Sequence, residues 1–307
     1  MLSKSIRRNS AEALLLSGGL DSSILASILN PRCSLTAGLG IEAPDLIFAR
    51  MVAKRYSSTH LEIILTNEKL LDILEQVIQI SQSFDPIEIR NSSVVFTGIK
   101  RAKEEGYSEI MVGDGADELF AGYNYLKRYY TDILTLSVQL SRLWKIMHFS
   151  SIEIGKKIGI DVKAPFLDKE FIKYAKSIEI NEKIGQHAGQ KWGKFILRKC
   201  FEPELGKEIV WRPKIPQEQG AGIVNIQNFL INQMDDTTFW SERKRALNEG
   251  VKIRDKEHLY YYNIFKKHFL LPKEEKCTHL RCPDCNGCFK LDGKFCHICG
   301  AFPVTPV

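Results

Sequence analysis

The sequence predicts an α/β fold in which helices cover both faces of a parallel sheet, followed by a mostly helical second half and a small cysteine-rich tail. Up to residue 123, apolar strand patterns alternate with helical patterns, which is the rhythm of βαβ units. Between residues 124 and 270 the strand patterns fade and helical patterns continue. Six of the eight cysteines lie between residues 277 and 299.

The predicted strands cover residues 13–16, 34–39, 60–65 and 109–112. The predicted helices between them cover residues 22–29, 45–56, 68–81 and 93–105. In sheets of this kind, ligands bind outside the carboxyl ends of the strands. The two most informative motifs follow the first and the fourth predicted strand, so both fall at this edge of the sheet.

A glycine-rich loop follows the first strand, with the sequence Ser17-Gly18-Gly19-Leu20-Asp21-Ser22-Ser23. At the glycines, no Cβ blocks the approach of a phosphate to the backbone. The helix that begins at Ser22 directs free N–H groups and the positive end of its dipole into the loop, which favours an anion. Asp21 would repel a bare phosphate, but a divalent cation can bridge the two. The loop therefore predicts a magnesium–nucleotide site, and it differs from the Gly-x4-Gly-Lys-Ser/Thr loop.

An acidic motif follows the fourth strand, with the sequence Gly113-Asp114-Gly115-Ala116-Asp117-Glu118-Leu119-Phe120-Ala121-Gly122-Tyr123. Three carboxylates within five residues are costly to bury together unless cations compensate their charge. The apolar strand before the acids and Leu119-Phe120 after them favour a buried setting over a solvated acidic turn.

The first motif resembles the PP-loop of the ATP pyrophosphatase superfamily, in the form carried by the synthetase domain of the asparagine synthetase family. The second is similar to that family's Gly-Asp/Glu-Gly-Ala/Ser-Asp-Glu-Leu/Val-Phe-Gly-Gly-Tyr, with Ala121 in place of a common glycine. The resemblance implies a PP-loop fold of the adenine nucleotide alpha hydrolase type. It also implies an enzyme that splits ATP between the α and β phosphates and adenylates a substrate.

The same resemblance implies roles for individual residues. Asp21 and Asp117 are expected to hold magnesium, and Asp114 is expected to lie near the nucleophilic step. The residues expected to bind the nucleotide are Ser17, Gly18, Gly19, Asp21, Ser22, Ser23 and Gly113.

Three later motifs follow in the family's order, so that the resemblance covers roughly residues 3–230. They are Val162-Lys163-Ala164-Pro165-Phe166-Leu167-Asp168, Lys194-Phe195-Ile196-Leu197-Arg198, and Trp211-Arg212-Pro213-Lys214 with Gly220 and Gly222. Their spacing places Lys194 and Arg198 on one helix face, and we expect a basic cluster of these two with Lys199, Arg212 and Lys214. Lys194 and Lys214 would stabilise pyrophosphate and the adenylate. A solvated helix with unrelated lysines is the alternative.

Composition limits the classes of function. The 307 residues are 44% hydrophobic and 26% charged, as in ordinary globular proteins. Apolar runs fall short of the ~20 residues of a membrane span. The basic N-terminus lacks the apolar core of a signal peptide, so we expect a cytoplasmic protein without a membrane partner. The net charge of +6 is compatible with nucleic acid without requiring it.

The segment before the first loop bears on the source of nitrogen. Glutamine-dependent members of the family carry a glutaminase domain there, with a cysteine as residue 2, whereas this chain has Leu2. We therefore expect free ammonia, a separate glutaminase subunit or a different nucleophile to serve the reaction.

The tail contains two Cys-x2-Cys pairs, Cys282 with Cys285 and Cys296 with Cys299. Asp292-Gly293 between them is typical of a hairpin turn. Two such pairs joined by a hairpin predict a zinc ribbon in residues 272–307, after a PP-loop domain in residues 1–271. A segment this short lacks an adequate apolar core, so the metal would supply the folding energy.

Other assignments of the cysteines stay open. Cys288 extends the first pair to Cys-x2-Cys-x2-Cys, a spacing that iron–sulfur clusters also use. Disulfides are not expected in a cytosolic protein. Cys33 and Cys200 are interpreted as structural. The spare candidate ligands are Cys277, His279, Cys288 and His297.

The leading hypothesis is an ATP-dependent ligase that forms AMP and pyrophosphate, adenylates a carboxylate and transfers ammonia to give an amide. Arg90 aligns with a substrate-side segment of the family, which makes aspartate a candidate acceptor. The alternative is a PP-loop enzyme that modifies tRNA, which the predicted zinc ribbon and the positive net charge favour. Thiolating members of that class use a cysteine near the nucleotide, and neither Cys33 nor Cys200 is flanked like one. A non-catalytic ATP-binding subunit is a third class.

Basic residues of the tail suggest a macromolecular partner. They are Lys273, Lys276, Arg281, Lys290 and Lys294. They either balance the charge of a zinc–thiolate centre or engage tRNA or an acidic protein.

Overall fold

The computed structural model of the chain describes residues 1–289 and 294–304. Five parallel strands form its central sheet: β1 (Ala13–Leu15), β2 (Cys33–Leu39), β3 (Thr59–Leu65), β4 (Glu109–Met111) and β5 (Asp161–Lys163). Their order across the sheet is β3-β2-β1-β4-β5. The chain therefore builds the sheet outward from β1 in one direction and then returns to the other side of β1. The carboxyl ends of β1 and β4 meet at this change of direction, where open α/β sheets bind ligands.

Helices account for most of the remaining chain. They are α1 (Leu2–Arg8), α2 (Leu20–Leu29), α3 (Pro44–Tyr56), α4 (Asn67–Ser81), α5 (Pro86–Glu104), α6 (Ala116–Leu119), α7 (Ile133–Ile146), α8 (Ser150–Ile158), α9 (Lys169–Ser177), α10 (Ile180–Lys183), α11 (Phe195–Leu205), α12 (Lys207–Val210), α13 (Gln217–Gly220), α14 (Ile226–Asn232), α15 (Asp236–Asn248) and α16 (Lys256–His268). Short 3-10 turns cover Asn124–Tyr129, Pro165–Leu167 and Ile223–Asn225. Two antiparallel pairs complete the structure: β6 (Ile184–His187) with β7 (Gln190–Gly193), and β8 (Leu280–Arg281) with β9 (Cys288–Phe289).

The sheet is buried on both faces. Along β1, Ala13 and Leu15 contact one apolar core, and Leu14 and the following Leu16 contact another. This follows from the alternation of side chains along a strand. The first core contains side chains of α4, α5 and α16, and the second contains side chains of α2, α3 and α11. The predicted parallel sheet with helices on both faces is confirmed.

Several predicted elements differ from those observed. Helix α2 begins at Leu20, so Asp21 lies in its first turn, and α5 begins at Pro86 rather than at residue 93. The expectation that strands fade after residue 123 is wrong at two places. Asp161–Lys163 pairs with β4 as the fifth strand, and the segment Ile184–Gly193 forms the β6–β7 hairpin. Both were missed because strands of three or four residues with several charged or polar side chains give no clear alternation.

The four predicted zinc ligands are buried in the first core together with Phe84 of the α4–α5 junction. The predicted turn at 292–293 and Lys290 lie outside the described residues. Among the described helices, none combines the length and the apolar character needed to cross a membrane.

Candidate active site

The glycine-rich loop between β1 and α2 has a shape that its own side chains hold. The backbone N–H of Ser17 donates to Ser22 Oγ at 3.2 Å, and Gly19 N–H donates to Ser17 Oγ at 3.3 Å. Gly18 has φ +65°, and a Cβ there would lie 2.4 Å from the carbonyl carbon of Phe48 in α3. Only glycine fits this position, because the left-handed backbone and the neighbouring helix both exclude a side chain.

Two carboxylates meet in the cleft between β1 and β4. Lys194 Nζ lies 2.6 Å from Asp21 Oδ2 and 2.6 Å from Asp117 Oδ1, and Lys214 Nζ lies 3.0 Å from Asp117 Oδ2. Within the described chain, Asp21 Oδ1 is buried and accepts no hydrogen bond. A buried carboxylate oxygen without a donor, next to a second carboxylate, is a ligand set that magnesium prefers. The residues present therefore fit a divalent cation held by Asp21 and Asp117.

The acids of the cleft have opposite pKa shifts. Burial favours the neutral form of Asp117, but Lys194 and Lys214 outweigh it and hold the pKa of this carboxyl below its ordinary value. Burial raises the pKa of Asp114, although a 2.5 Å hydrogen bond donated by Ser151 Oγ opposes the rise. Asp117 is thus suited to stay ionised beside a cation, and Asp114 is suited to take up a proton.

Lys194 reaches the carboxylates because of the β6–β7 hairpin that precedes it. Its backbone is left-handed (φ +54°), its N–H donates to Phe120 O at 2.7 Å, and α11 starts only at the next residue. A Cβ on Gly122 would lie 2.1 Å from Lys194 Cε, so this glycine provides the space for the lysine stem. The expectation that Lys194 lies on a helix face is therefore wrong.

The predicted basic cluster is only partly brought together. Arg198 is buried and donates to backbone carbonyls, those of Gly193 and Arg212 at 3.0 and 3.4 Å, so it supports the loop that carries Lys214. Lys199 is exposed and does not line the cleft. Lys194, Arg198, Arg212 and Lys214 all line the cleft, so the predicted cluster is wrong only for Lys199. Lys199 lies one residue beyond Arg198, and a one-residue step along a helix turns the side chain by ~100°.

Arg212 fixes the far wall of the cleft. Its guanidinium lies 2.8 Å from Asp45 Oδ1, donates to Ser17 O at 3.3 Å and stacks 3.9 Å from the ring centre of Phe48. Asp45 and Ser151 are site residues that sequence reasoning missed. Each lies near the start of a helix, where an acidic or hydroxyl side chain is ordinary and signals nothing about a site.

The predicted residues that line the cleft are Ser17, Gly19, Asp21, Ser22, Gly113, Asp114, Asp117, Lys194, Arg198, Arg212 and Lys214. Apolar side chains that sequence reasoning missed line it too: Leu15, Leu35, Val94, Val95 and Val112. Ser23 is fully buried behind the loop, and Gly18 contacts α3. Neither lines the cleft.

Arg90 does not line the cleft either. It is buried and forms ion pairs with Glu218 and Glu257, the latter at 2.6 Å. Tyr261 Oη also donates to Glu257, at 2.8 Å. Arg90 therefore joins α5 to Glu218 of α13 and to Glu257 of α16, and its charge is already paired within the fold.

The second candidate site is formed by the four cysteines of the tail. Their sulfurs all lie within 4.8 Å of one another, with Cys282 Sγ 3.8 Å from Cys299 Sγ and Cys285 Sγ 3.7 Å from Cys296 Sγ. Four sulfurs bound tetrahedrally at ~2.3 Å to a single ion are about 3.8 Å apart. The geometry therefore fits one zinc ion, whereas an iron–sulfur cluster would hold its cysteines farther apart.

The spare candidate ligands take other places. Cys277 and Cys288 are joined by a disulfide, so the expectation that the thiols stay reduced is wrong for this pair. It also removes Cys288 from the Cys-x2-Cys-x2-Cys ligand set. His279 and His297 are not among the clustered ligands.

Comparison with known proteins identifies the family. The family model described as asparagine synthase matches residues 6–146 and 154–267, which is most of the chain and ends before the cysteine cluster. The chain is 31% identical over 276 residues to the glutamine-hydrolysing asparagine synthetase of Gallus gallus, covering 83% of this chain and 48% of that protein. It is 29% identical over 291 residues to asparagine synthetase B of Escherichia coli, covering 86% and 51%.

A probable asparagine synthetase of Dictyostelium discoideum is 31% identical over 280 residues, covering 80% of this chain and 50% of that protein. The chain thus spans about half the length of the curated relatives it matches. The extent of the family match, together with the loop, acids and lysines of the cleft, shows that this chain belongs to the asparagine synthase family.

Proposed function

We propose that this chain is an ATP-dependent ligase that adenylates a carboxylate, releases pyrophosphate and transfers ammonia to give an amide. The observation that carries the proposal is the contact of Lys194 with both Asp21 and Asp117, at the end of the glycine-rich loop. Transfer to the α phosphorus and transfer of the γ phosphate both need cations where negative charge develops, and in adenylation that charge develops on the leaving pyrophosphate. Lys194 and Lys214 supply those cations beside the metal-binding acids.

The loop would bind the nucleotide through its backbone. N–H groups at the start of α2 favour the phosphates, and the apolar wall that includes Val94 and Val95 suits the base. Asp21 and Asp117 would hold magnesium, which supplies neutralisation of phosphate charge when bound. Lys194 bridges these acids in the structure, so it keeps them in register for the cation.

The chemistry then follows in two steps. A carboxylate oxygen of the acceptor attacks the α phosphorus, the bond to the bridging oxygen of the β phosphate breaks, and pyrophosphate leaves with its charge stabilised by Lys194 and Lys214. Ammonia attacks the carbonyl carbon of the acyl-adenylate, AMP leaves, and the nitrogen gives up a proton. Asp114 would accept it, and the burial that raises the pKa of this acid supports the role.

Aspartate is the first acceptor to test, because the relatives are named asparagine synthetases. The experiment incubates the chain with ATP, magnesium, aspartate and ammonium, and quantifies nucleotides, pyrophosphate and amino acids. We expect AMP and pyrophosphate in equal amounts with asparagine, from ammonium rather than from glutamine. ADP and orthophosphate as the main products would contradict the proposal. A panel of other carboxylates follows if aspartate is inert, with pyrophosphate release as the readout.

We also propose that Cys282, Cys285, Cys296 and Cys299 hold one structural zinc. The support is the tetrahedral spacing of the sulfurs. Elemental analysis should give about one zinc per chain for the purified protein and for Cys200→Ser, and much less for Cys296→Ser. Stoichiometric iron with visible absorbance would contradict the assignment.

A further inference from the structure

We propose that the metal centre fixes the beginning of α5 and thereby shapes the nucleotide cleft. This inference rests on the proposed function only in taking the cleft to bind ATP. The segment that holds the metal, here named the cysteine segment (residues 277–289 and 294–304), docks on two loops of the catalytic part. It does so through backbone groups that flank the four sulfurs.

The first contact is with the junction between α4 and α5. The backbone N–H of Phe84 donates to Ile298 O at 2.7 Å, and Ser83 Oγ donates to His297 O at 2.7 Å. His297 and Ile298 are the two residues between the ligands Cys296 and Cys299. The path from metal to junction is therefore one turn of backbone.

Close packing strengthens this contact. A Cβ on Gly300 would lie 2.1 Å from Oδ1 of Asp85, the residue that caps α5 by accepting from Ile87 N–H at 3.2 Å. The turn after Cys299 thus touches the N-cap of the helix directly. A helix that loses its cap loses stability first in its first turn.

The second contact is with the loop that joins α15 to α16. Asp284 O accepts from Lys252 N–H at 2.7 Å, Asn286 Nδ2 donates to Gly250 O at 2.7 Å, and Arg254 donates to Cys299 O at 2.8 Å. Each cysteine pair is therefore tied to this loop. The metal crosslinks the two pairs, so it also holds the two loops at a fixed distance.

The α4–α5 junction also packs in an apolar core with α16 and the four ligand cysteines. Phe84 is fully buried, and its ring centre lies 5.1 Å from those of Tyr262 and Phe265 in α16. The four ligand cysteines belong to the same core. Loss of the metal would expose four buried thiols and the rings beneath them, so the junction would lose packing as well as hydrogen bonds.

Helix α5 carries the effect to the cleft. Val94 and Val95 lie in the middle of this helix and line the cleft. Four residues beyond Val94, a Cβ on Gly98 would lie 2.3 Å from the side chain of Leu15, so α5 packs tightly on β1, which leads into the glycine-rich loop. A shift of α5 would therefore move both the wall and the floor of the nucleotide site.

The experiment compares three variants with the wild-type chain. Cys296→Ser removes a ligand. Cys200→Ser is the control, because it changes an exposed free cysteine outside the metal site and outside the Cys277–Cys288 disulfide. Ser83→Ala with Arg254→Ala keeps all four ligands and removes docking hydrogen bonds. For each, zinc content, amide hydrogen exchange of residues 84–95 and calorimetric affinity for ATP with magnesium are measured without any acceptor carboxylate.

We expect Cys296→Ser to lose zinc and to exchange faster in residues 84–95. If about a tenth of the molecules keep α5 in place, the apparent affinity for ATP falls about tenfold. The docking variant should keep zinc and show the same changes in exchange and affinity, in smaller degree. Cys200→Ser should match the wild type in all three measurements.

Unchanged exchange and ATP affinity in the docking variant and in zinc-depleted wild type would overturn the proposal. The docking variant decides the matter if Cys296→Ser does not fold. ATP binding is measured without turnover, so a failure of the amide-forming reaction leaves this test intact. Conversely, amide formation with unaltered ATP affinity after zinc removal contradicts only this inference.

Discussion

Lys194 lies between Asp21 and Asp117, and its charge offsets the repulsion between the two carboxylates. Its side chain is 3% exposed, and its ammonium contacts an oxygen of each acid at 2.6 Å. A buried charge persists only when it is paired, and here each charge depends on the others. The three residues therefore act as one unit, and their individual contributions cannot be additive.

This unit predicts the behaviour of two conservative variants. Asp21→Asn and Asp117→Asn should each lower the rate by ~10²–10³, because each removes a proposed magnesium ligand and a partner of Lys194. The double variant should be little slower than either single one. Steady-state kinetics at saturating magnesium, with exposed Asp72→Asn as the control, tests this. Losses that multiply would contradict a shared cation.

A second residue-scale prediction concerns pH. Burial raises the pKa of Asp85 from 3.8 to about 6. The folded state therefore favours the neutral form of Asp85. The contribution of this protonated acid to the free energy of unfolding is fully present below about pH 4 and is lost as pH rises through about 6. Asp85→Asn keeps a capping oxygen and does not titrate. We expect it to be more stable than wild type at pH 8 by about 1–3 kcal/mol, and nearly equal at pH 4.

Urea unfolding at both pH values measures this difference. Asp235→Asn provides the control of opposite sign. Asp235 caps α15 by accepting from Thr238 Oγ1 at 2.6 Å and from Thr238 N–H, and these two hydrogen bonds lower its pKa. Its contribution is present at high pH and is lost on acidification. A stability difference for Asp85→Asn that does not change between pH 4 and pH 8 would show that Asp85 does not titrate as proposed.

At the scale of elements, the shape of the glycine-rich loop between β1 and α2 depends on its close contact with α3. Gly18 can adopt φ +65° beside the backbone of Phe48 only because it has no Cβ. The hydrogen bonds of Ser17 and Ser22 then set the loop before any nucleotide arrives. Such preformed geometry avoids a reorganisation cost on binding.

Two glycines with positive φ distinguish the effect of loop shape from the effect of backbone strain alone. Gly18→Ala forces the loop away from α3, and a displacement of this kind lowers the rate about 100-fold. Gly40 has φ +75° and nothing within 4 Å of an added Cβ. Gly40→Ala should therefore cost only about 1 kcal/mol of stability and leave the rate unchanged. Equal effects of the two substitutions on the rate would contradict a role for loop shape.

At the scale of the whole molecule, the order of strands determines the site. Asp21 and Asp117 are far apart in sequence, and they meet because β1 and β4 are neighbours at the change of direction in the sheet. The sequence indicated this edge of the sheet, since both motifs follow strands. It could not give the strand order, because the pairing of parallel strands leaves no local pattern.

Other parts were beyond sequence reasoning for related reasons. The position of Lys194 depends on the β6–β7 hairpin and on Gly122, and the contact of Ser151 with Asp114 joins residues 37 positions apart. The pairing of Arg90 with Glu218 and Glu257 depends on how three helices pack. The cysteine cluster was predicted because its ligands are close in sequence. The boundary at residue 272 stays a prediction.

The central claim is that a carboxylate oxygen of the acceptor becomes bonded to the α phosphorus of ATP. The most direct measurement uses an acceptor labelled with ¹⁸O in its carboxylate, together with unlabelled ATP, magnesium and ammonium, and analyses the nucleotide product by mass spectrometry. We expect AMP that carries one ¹⁸O from the acceptor, unlabelled pyrophosphate, and an amide that has lost that oxygen. AMP without the label, or ADP with orthophosphate, would contradict the account.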